Sequence, residues 1–85
     1  MGKTRFLVDA YGDRSSFDTL VKARRYAMRK VNPNKGSRAW IYTYKDGEIG
    51  RTVGIVYITG DYERYWTSDR KYWILKNDGT LGRKL

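Results

Sequence analysis

The sequence predicts an α+β fold in which one helix packs on a mainly antiparallel, four- to five-stranded sheet, in two layers and in the order β-α-β-β-β-β. Three observations predict it. Asp46-Gly47 divides residues 39–58 into two alternating runs, and Asp-Gly between such runs supplies the two positive-φ positions of a type I′ hairpin. Apolar residues recur at helical spacing between Leu20 and Val31. Turn-forming clusters at 59–61, 68–70 and 77–80 cut the remaining chain into strand-length pieces.

Residues 4–11 read as the first strand, with Phe6, Val8 and Ala10 on one side, and 12–16 as a polar turn. Asp18 or Thr19 is positioned to cap the helix that follows. On a helical wheel Leu20, Ala23, Ala27 and Val31 form the apolar arc, with Val21 and Met28 at one margin. Lys22, Arg25 and Arg29 lie opposite, with Tyr26 and Lys30 beside them. Arg24 falls inside the apolar arc; the expectation is that it snorkels over the sheet edge, the other option being a pair with a carboxylate such as Asp9. Asn32-Pro33 ends the helix, because the residue before proline is displaced from the α region. After the central hairpin, residues 62–67 and 71–76 read as strands, and 81–85 as a short tail able to pair. The short connections make the last four strands a meander.

Eighty-five residues make one domain, which buries roughly 60–65% of its unfolded surface. With no cysteine and no histidine, disulfides, cysteine–histidine zinc sites and thiol or imidazole chemistry are excluded. The start of the chain, Met1 to Arg5, leads into too few apolar residues before Asp9 for a signal-peptide core. No run approaches the length of a membrane helix. A soluble, cytoplasmic protein without membrane insertion is expected. Eighteen basic against nine acidic residues give a net charge of +9, which points to phosphate backbones, anionic surfaces or acidic proteins as partners.

Two constellations carry the functional reading. Between Asp18 and Asp46 there is no acid, while Lys22, Arg24, Arg25, Arg29, Lys30, Lys35 and Arg38 all fall there. Such a tract neutralises phosphates and releases their counterions, whatever the sequence bound. The hairpin then places Trp40, Tyr42, Tyr44 and Tyr57 on one side with Arg51 among them, and Ala39, Ile41, Gly50, Gly54, Val56 and Ile58 on the other. The aromatic side is read as the core under the helix, in preference to an exposed platform for stacking bases. A second aromatic set, Tyr62, Tyr65, Trp66, Tyr72 and Trp73, divides between faces, so one of its sides is expected to be partly exposed.

No reaction motif emerges. Ile41-Tyr42, Glu48-Ile49-Gly50-Arg51 and Gly54-Ile55-Val56-Tyr57 touch on the GIY-YIG nuclease signature, but the leading glycine, the spacing, the following helix with its arginine and the downstream glutamate are unmatched. That reading is excluded. Gly2-Lys3-Thr4 is no phosphate-binding loop, because the earlier glycine and the preceding strand are missing. Asp13, Asp46, Asp61, Asp69 and Asp78 sit in expected turns, where aspartate is favoured for local hydrogen bonding, so no convergent metal site is expected.

The function expected is therefore non-enzymatic binding of DNA or RNA, with no cofactor and no metal. Lys22, Arg25, Arg29, Lys30, Lys35 and Arg38 are expected to hold phosphates, with Trp40, Tyr42 and Arg51 as stacking or edge contacts if the aromatic face is open. The alternative is a protein–protein interaction module of the phage or mobile-element accessory type that docks an acidic partner. A third reading is a small metal-free ribonuclease toxin using Lys, Arg and Tyr. The sequence leaves the oligomeric state open.

Overall fold

The computed structural model describes residues 3–85; Met1 and Gly2, and with them part of the excluded Gly2-Lys3-Thr4 sequence, lie outside the described residues. Its elements are β1 (Arg5–Ala10), β2 (Asp13–Phe17), α1 (Leu20–Lys30), β3 (Arg38–Lys45), β4 (Glu48–Ile58), β5 (Arg64–Ser68), β6 (Lys71–Leu75) and β7 (Leu81–Lys84). The seven strands form one sheet in the order β2-β1-β3-β4-β5-β6-β7, and every neighbouring pair is antiparallel. This overturns the expected four- to five-stranded β-α-β-β-β-β arrangement. The molecule is mostly sheet, with a single short helix.

Two strands account for most of the difference. Asp13-Arg14-Ser15-Ser16 has the composition of a turn, yet Tyr11 and Gly12 both take positive φ (54° and 87°), the type I′ geometry, and fold β2 back on β1. A short, charged strand is what a sheet edge requires, because it discourages pairing with another chain. The opposite edge, β7 with Arg83 and Lys84, has the same character. The central hairpin turns at Asp46-Gly47 (φ 52° and 80°), as its sequence predicts, and β5 and β6 turn at Asp69-Arg70 (φ 55° and 64°).

Helix α1 starts at Thr19, whose Oγ1 accepts the Lys22 N–H at 3.2 Å. Its buried residues are Ala23, Arg24, Ala27 and Met28, and it packs on β1, β2, β3 and β4. Beneath it lie Val8 and Ala10, Ala39 and Ile41, Val56 and Ile58, Trp66 and Leu75. The core therefore takes the glycine and alanine side of the hairpin, not the aromatic side expected from sequence. The reason is separation: two helix alanines bring the helix close, and Ala39 and Gly54 leave room for it beside Ile41 and Val56.

Arg24 follows neither course expected for it. It is 7% exposed, its Nε donates to the Gly79 carbonyl at 2.9 Å, and its guanidinium lies over the Trp66 ring at 5.1 Å. Burial lowers its pKa below the ordinary arginine value, and the carbonyl and the ring's π face take the place of a carboxylate. Trp66 in turn lies on Gly54, where a Cβ would stand 2.4 and 2.5 Å from the ring. Gly79, at φ +88°, comes so near the helix that a Cβ would stand 2.6 Å from the Val21 carbonyl oxygen. At the other end of the sheet, Phe17 packs on Tyr26 with ring centroids 5.0 Å apart. A flat seven-stranded sheet would be about 29 Å wide, against a helix about 10–12 Å across. Contact with the helix from both ends means that the sheet coils around it, leaving its other face on the outside.

Gly54→Ala should cost about 2–4 kcal/mol in urea denaturation, since the added methyl meets the Trp66 ring and the Thr67 carbonyl oxygen at 2.7 Å. Gly60→Ala, with nothing within 4 Å of the added Cβ, should stay within about 0.5 kcal/mol of the parent.

The loop that carries Gly79 also has a pH signature. The Asp78 carboxylate accepts the Thr80 hydroxyl at 2.6 Å and the Thr80 N–H at 3.0 Å, and these bonds, the hydroxyl foremost, hold its pKa below the ordinary value of 3.8. A carboxyl depressed in the fold contributes stability above its unfolded pKa and loses it as pH falls through the folded value. Parent and Thr80→Val should therefore differ in stability at pH 7 and converge below about pH 4.

Candidate nucleic-acid interface

Strand register places side chains of the outer face in rows. Asp9, Trp40, Ile55, Thr67 and Tyr72 are successive partners across β1, β3, β4, β5 and β6. Arg38, Tyr57, Tyr65 and Ile74 form the adjacent row across β3 to β6. Leu7, Tyr42 and Thr52 continue the surface toward the hairpin end, past a bulge that shifts the register between Ile41 and Tyr42. Directly paired residues point to one side of a sheet, so these rows share the face opposite the helix.

The rings on this face are ordered by one another. Tyr57 stacks on Tyr65 with centroids 5.2 Å apart and planes 22° from parallel, and meets Tyr72 edge-on at 6.2 Å and 87°. Trp40 is 38% and Tyr72 46% exposed, so each presents ring surface to solvent. The Tyr57 hydroxyl has a raised pKa, chiefly from burial and then from Tyr72, with Arg38 partly offsetting both. The Tyr65 hydroxyl donates to the Glu63 carboxylate, the main reason that its pKa is raised as well. Both phenols stay neutral at physiological pH and offer polar edges beside apolar faces.

Arg38 joins two hollows. One, of about 330 Å³, is lined by Arg38, Ile55, Tyr57, Thr67 and Tyr72; the other, of about 440 Å³, by Tyr11, Lys35, Gly36, Ser37, Arg38 and Trp40. The second lies where the Tyr11 hydroxyl reaches the Lys30 and Gly36 carbonyl oxygens, tying the β1–β2 turn to the loop after the helix. Nearby, Asp9 is occupied by Arg14 at 3.2 Å and by the Gly12 N–H. The cations Lys35 and Arg38 thus border an aromatic surface.

The residues expected to bind are distributed over distinct surfaces. Lys35, Arg38 and Trp40 come together in one hollow, and Tyr42 extends the same face. Lys22, Arg25 and Arg29 are exposed on the helix, across the sheet from the rings. Lys22 pairs with Asp18 at 3.1 Å and so lowers the carboxyl's pKa. Lys30 lies 5.4 Å above the Tyr26 ring and 3.9 Å from Asp13. Arg51 is exposed on β4, where its N–H donates to Thr43 Oγ1 at 3.1 Å, beside the second irregularity of the hairpin. Sequence reasoning left Tyr11, Ile55, Tyr65, Thr67 and Tyr72 out of the site. For Tyr65, Thr67 and Tyr72 the signal was the Ser68-Asp69-Arg70 turn: a two-residue loop there places Thr67 opposite Tyr72, although the register onto Ile55 depends on the longer β4–β5 connection, and Tyr11 had no such signal. Among the described residues no group of three acidic side chains is placed to hold a metal, and no helix is long and apolar enough to cross a membrane.

Because Trp40 presents its ring to solvent, acrylamide should quench it readily. Trp40→Phe should remove the largest quenchable share of the tryptophan fluorescence, whereas Trp66, at 3% exposure, should contribute little to it.

No family model, no curated protein and no solved structure matches this chain.

Proposed function

We propose that this protein binds single-stranded nucleic acid on the outer face of its sheet, with Lys35 and Arg38 on the backbone phosphates and Trp40, Tyr57 and Tyr72 against the bases. The observation that carries the reading is the open aromatic face bordered by the cations of the 32–38 loop, on a chain of net charge +9. Bases of every type have a π face, so exposed rings bind single strands with little sequence preference, and a basic margin follows the backbone. From Trp40 on β3 to Tyr72 on β6 is three inter-strand spacings, about 14 Å, enough for more than one base. A duplex hides its base faces by stacking and has no use for such a surface. Tyr42 and Ile74 widen the platform, and the helix cations on the far side add to the field that attracts a polyanion.

Fluorescence anisotropy with labelled oligonucleotides tests this. A single strand should bind more tightly than the duplex of the same sequence, with log K falling by about 0.7 per phosphate neutralised for each tenfold rise in salt. Trp40→Ala and Tyr72→Ala should each weaken single-strand binding by about 1–3 kcal/mol, and Arg38→Ala should reduce the salt slope. Absence of binding at low salt, or variants that bind like the parent, would rule the reading out.

A further inference from the structure

On the helix side of the sheet, Arg25 and Arg29 of α1 and Arg64 of β5 meet Met28 and Asn77 around an open cleft of about 290 Å³. No carboxylate lines it, and no ion pair among the described residues reaches any of the three arginines. The acids adjoining it in sequence are engaged elsewhere: Glu63 with the Tyr65 hydroxyl, and Asp78 with Thr80. Arg64 is anchored by pairing of its backbone with the buried Ile58, and its Nε is itself buried without a hydrogen-bond partner among the described residues.

Two unfavourable features therefore coincide. Three arginines line one space without a counter-charge, and beside it the buried Arg64 Nε lacks an acceptor, a condition that calls for a specific explanation. One kind of ligand would relieve the charge: a compact anion with several oxygens. Guanidinium forks match phosphate oxygens two at a time, and the Asn77 amide adds a neutral donor. The cleft has the volume of about ten water molecules, which is room for a diphosphate. Its position is separate from the aromatic face, because Arg64 shares the side of the buried Ile58, whereas Tyr57 and Tyr65 alternate to the other.

We infer that the Arg25–Arg29–Arg64 cleft is a second anion site, which binds a phosphomonoester or diphosphate group. The inference does not depend on the nucleic-acid reading, since it rests on residues across the sheet from the rings. Thermal unfolding and calorimetry of the full chain with inorganic pyrophosphate, at ionic strength held constant with chloride, provide the test. Pyrophosphate should raise the Tm saturably. Arg29→Gln, an exposed change that leaves the core intact, and Arg64→Gln should each weaken its binding about tenfold, while Trp40→Ala leaves it unchanged. Oligonucleotides with and without a 5′-phosphate separate the sources. A preference for the phosphorylated strand that Arg29→Gln abolishes assigns a polynucleotide end, and equal binding of the two alongside saturable pyrophosphate binding assigns a free phosphate compound. No saturation above the chloride control, or undiminished pyrophosphate binding by both glutamine variants, would overturn the site.

Discussion

The fold depends on a stack of four residues drawn from distant parts of the chain. Gly54 of β4 leaves space for the Trp66 ring, Trp66 offers its face to the Arg24 guanidinium, and Arg24 holds the Gly79 carbonyl. Each member needs the next. A side chain at 54 would displace the ring, and without the ring the arginine would be a buried charge over an aliphatic surface. Without the arginine, the 76–80 loop would lose its hydrogen bond to the helix. A hydrogen bond from a charged donor contributes about 1.5–3 kcal/mol, and a desolvated cation–π contact about 2 kcal/mol, and these offset the cost of burying the Arg24 charge. The 76–80 loop is held onto the helix here, while Phe17 and Tyr26 pack at the opposite end of the sheet.

From that geometry comes the division of the sheet's two faces. A helix drawn close by Ala23 and Ala27 needs room on the facing strands, and Ala39 and Gly54 provide it beside the buried Ile41 and Val56. Strand alternation then sends Arg38, Trp40, Ile55 and Tyr57 outward with no layer to cover them. Large rings on an uncovered face lose burial energy, and they recover part of it by packing on one another, as Tyr57 does with Tyr65 and Tyr72. The open face is thus a consequence of how the core is built, whatever the surface is used for.

What was legible in the sequence was local chemistry. Asp46-Gly47 gave its turn because few other dipeptides tolerate two positive φ angles, and Thr19 its cap because its hydroxyl reaches the first free N–H groups. Much of the rest depended on partners that composition does not name. β2 was hidden because Ser15 and Ser16 gain their strand character from pairing with Val8 and Leu7, not from their own preference. Its turn was hidden because Tyr11 is an unusual residue at positive φ, held there by its hydroxyl contacts to the helix end and the next loop. Arg24 looked like a misfit because its acceptor lies 55 residues away in sequence. The buried face of the hairpin differs from expectation because rings offer far more area to bury than glycines, although close packing makes the glycine side the better floor for this helix. In the candidate site, Lys35, Arg38 and Trp40 were legible together since they adjoin in the chain. The rows through Tyr57, Tyr65 and Tyr72 required the register of strands joined by the irregular 59–63 connection.

The same sheet also explains why one basic tract forms two surfaces. Residues 22–38 run through the helix and then around its end, so Arg25 and Arg29 finish on one side of the sheet, and Lys35 and Arg38 at the margin of the other. Cations divided in this way repel one another less than they would on a single face, but a net charge of +9 still opposes compaction. The ion pairs described, such as Lys22–Asp18 and Arg14–Asp9, each involve at least one side chain largely open to water, and pairs of this kind contribute little. Anions that bind only the folded chain offset the repulsion by mass action, by about 2.7 kcal/mol at a hundredfold excess over Kd. For a domain with so modest a core, that is a large fraction of the stability expected, so an anion taken up on either proposed face would be coupled to folding.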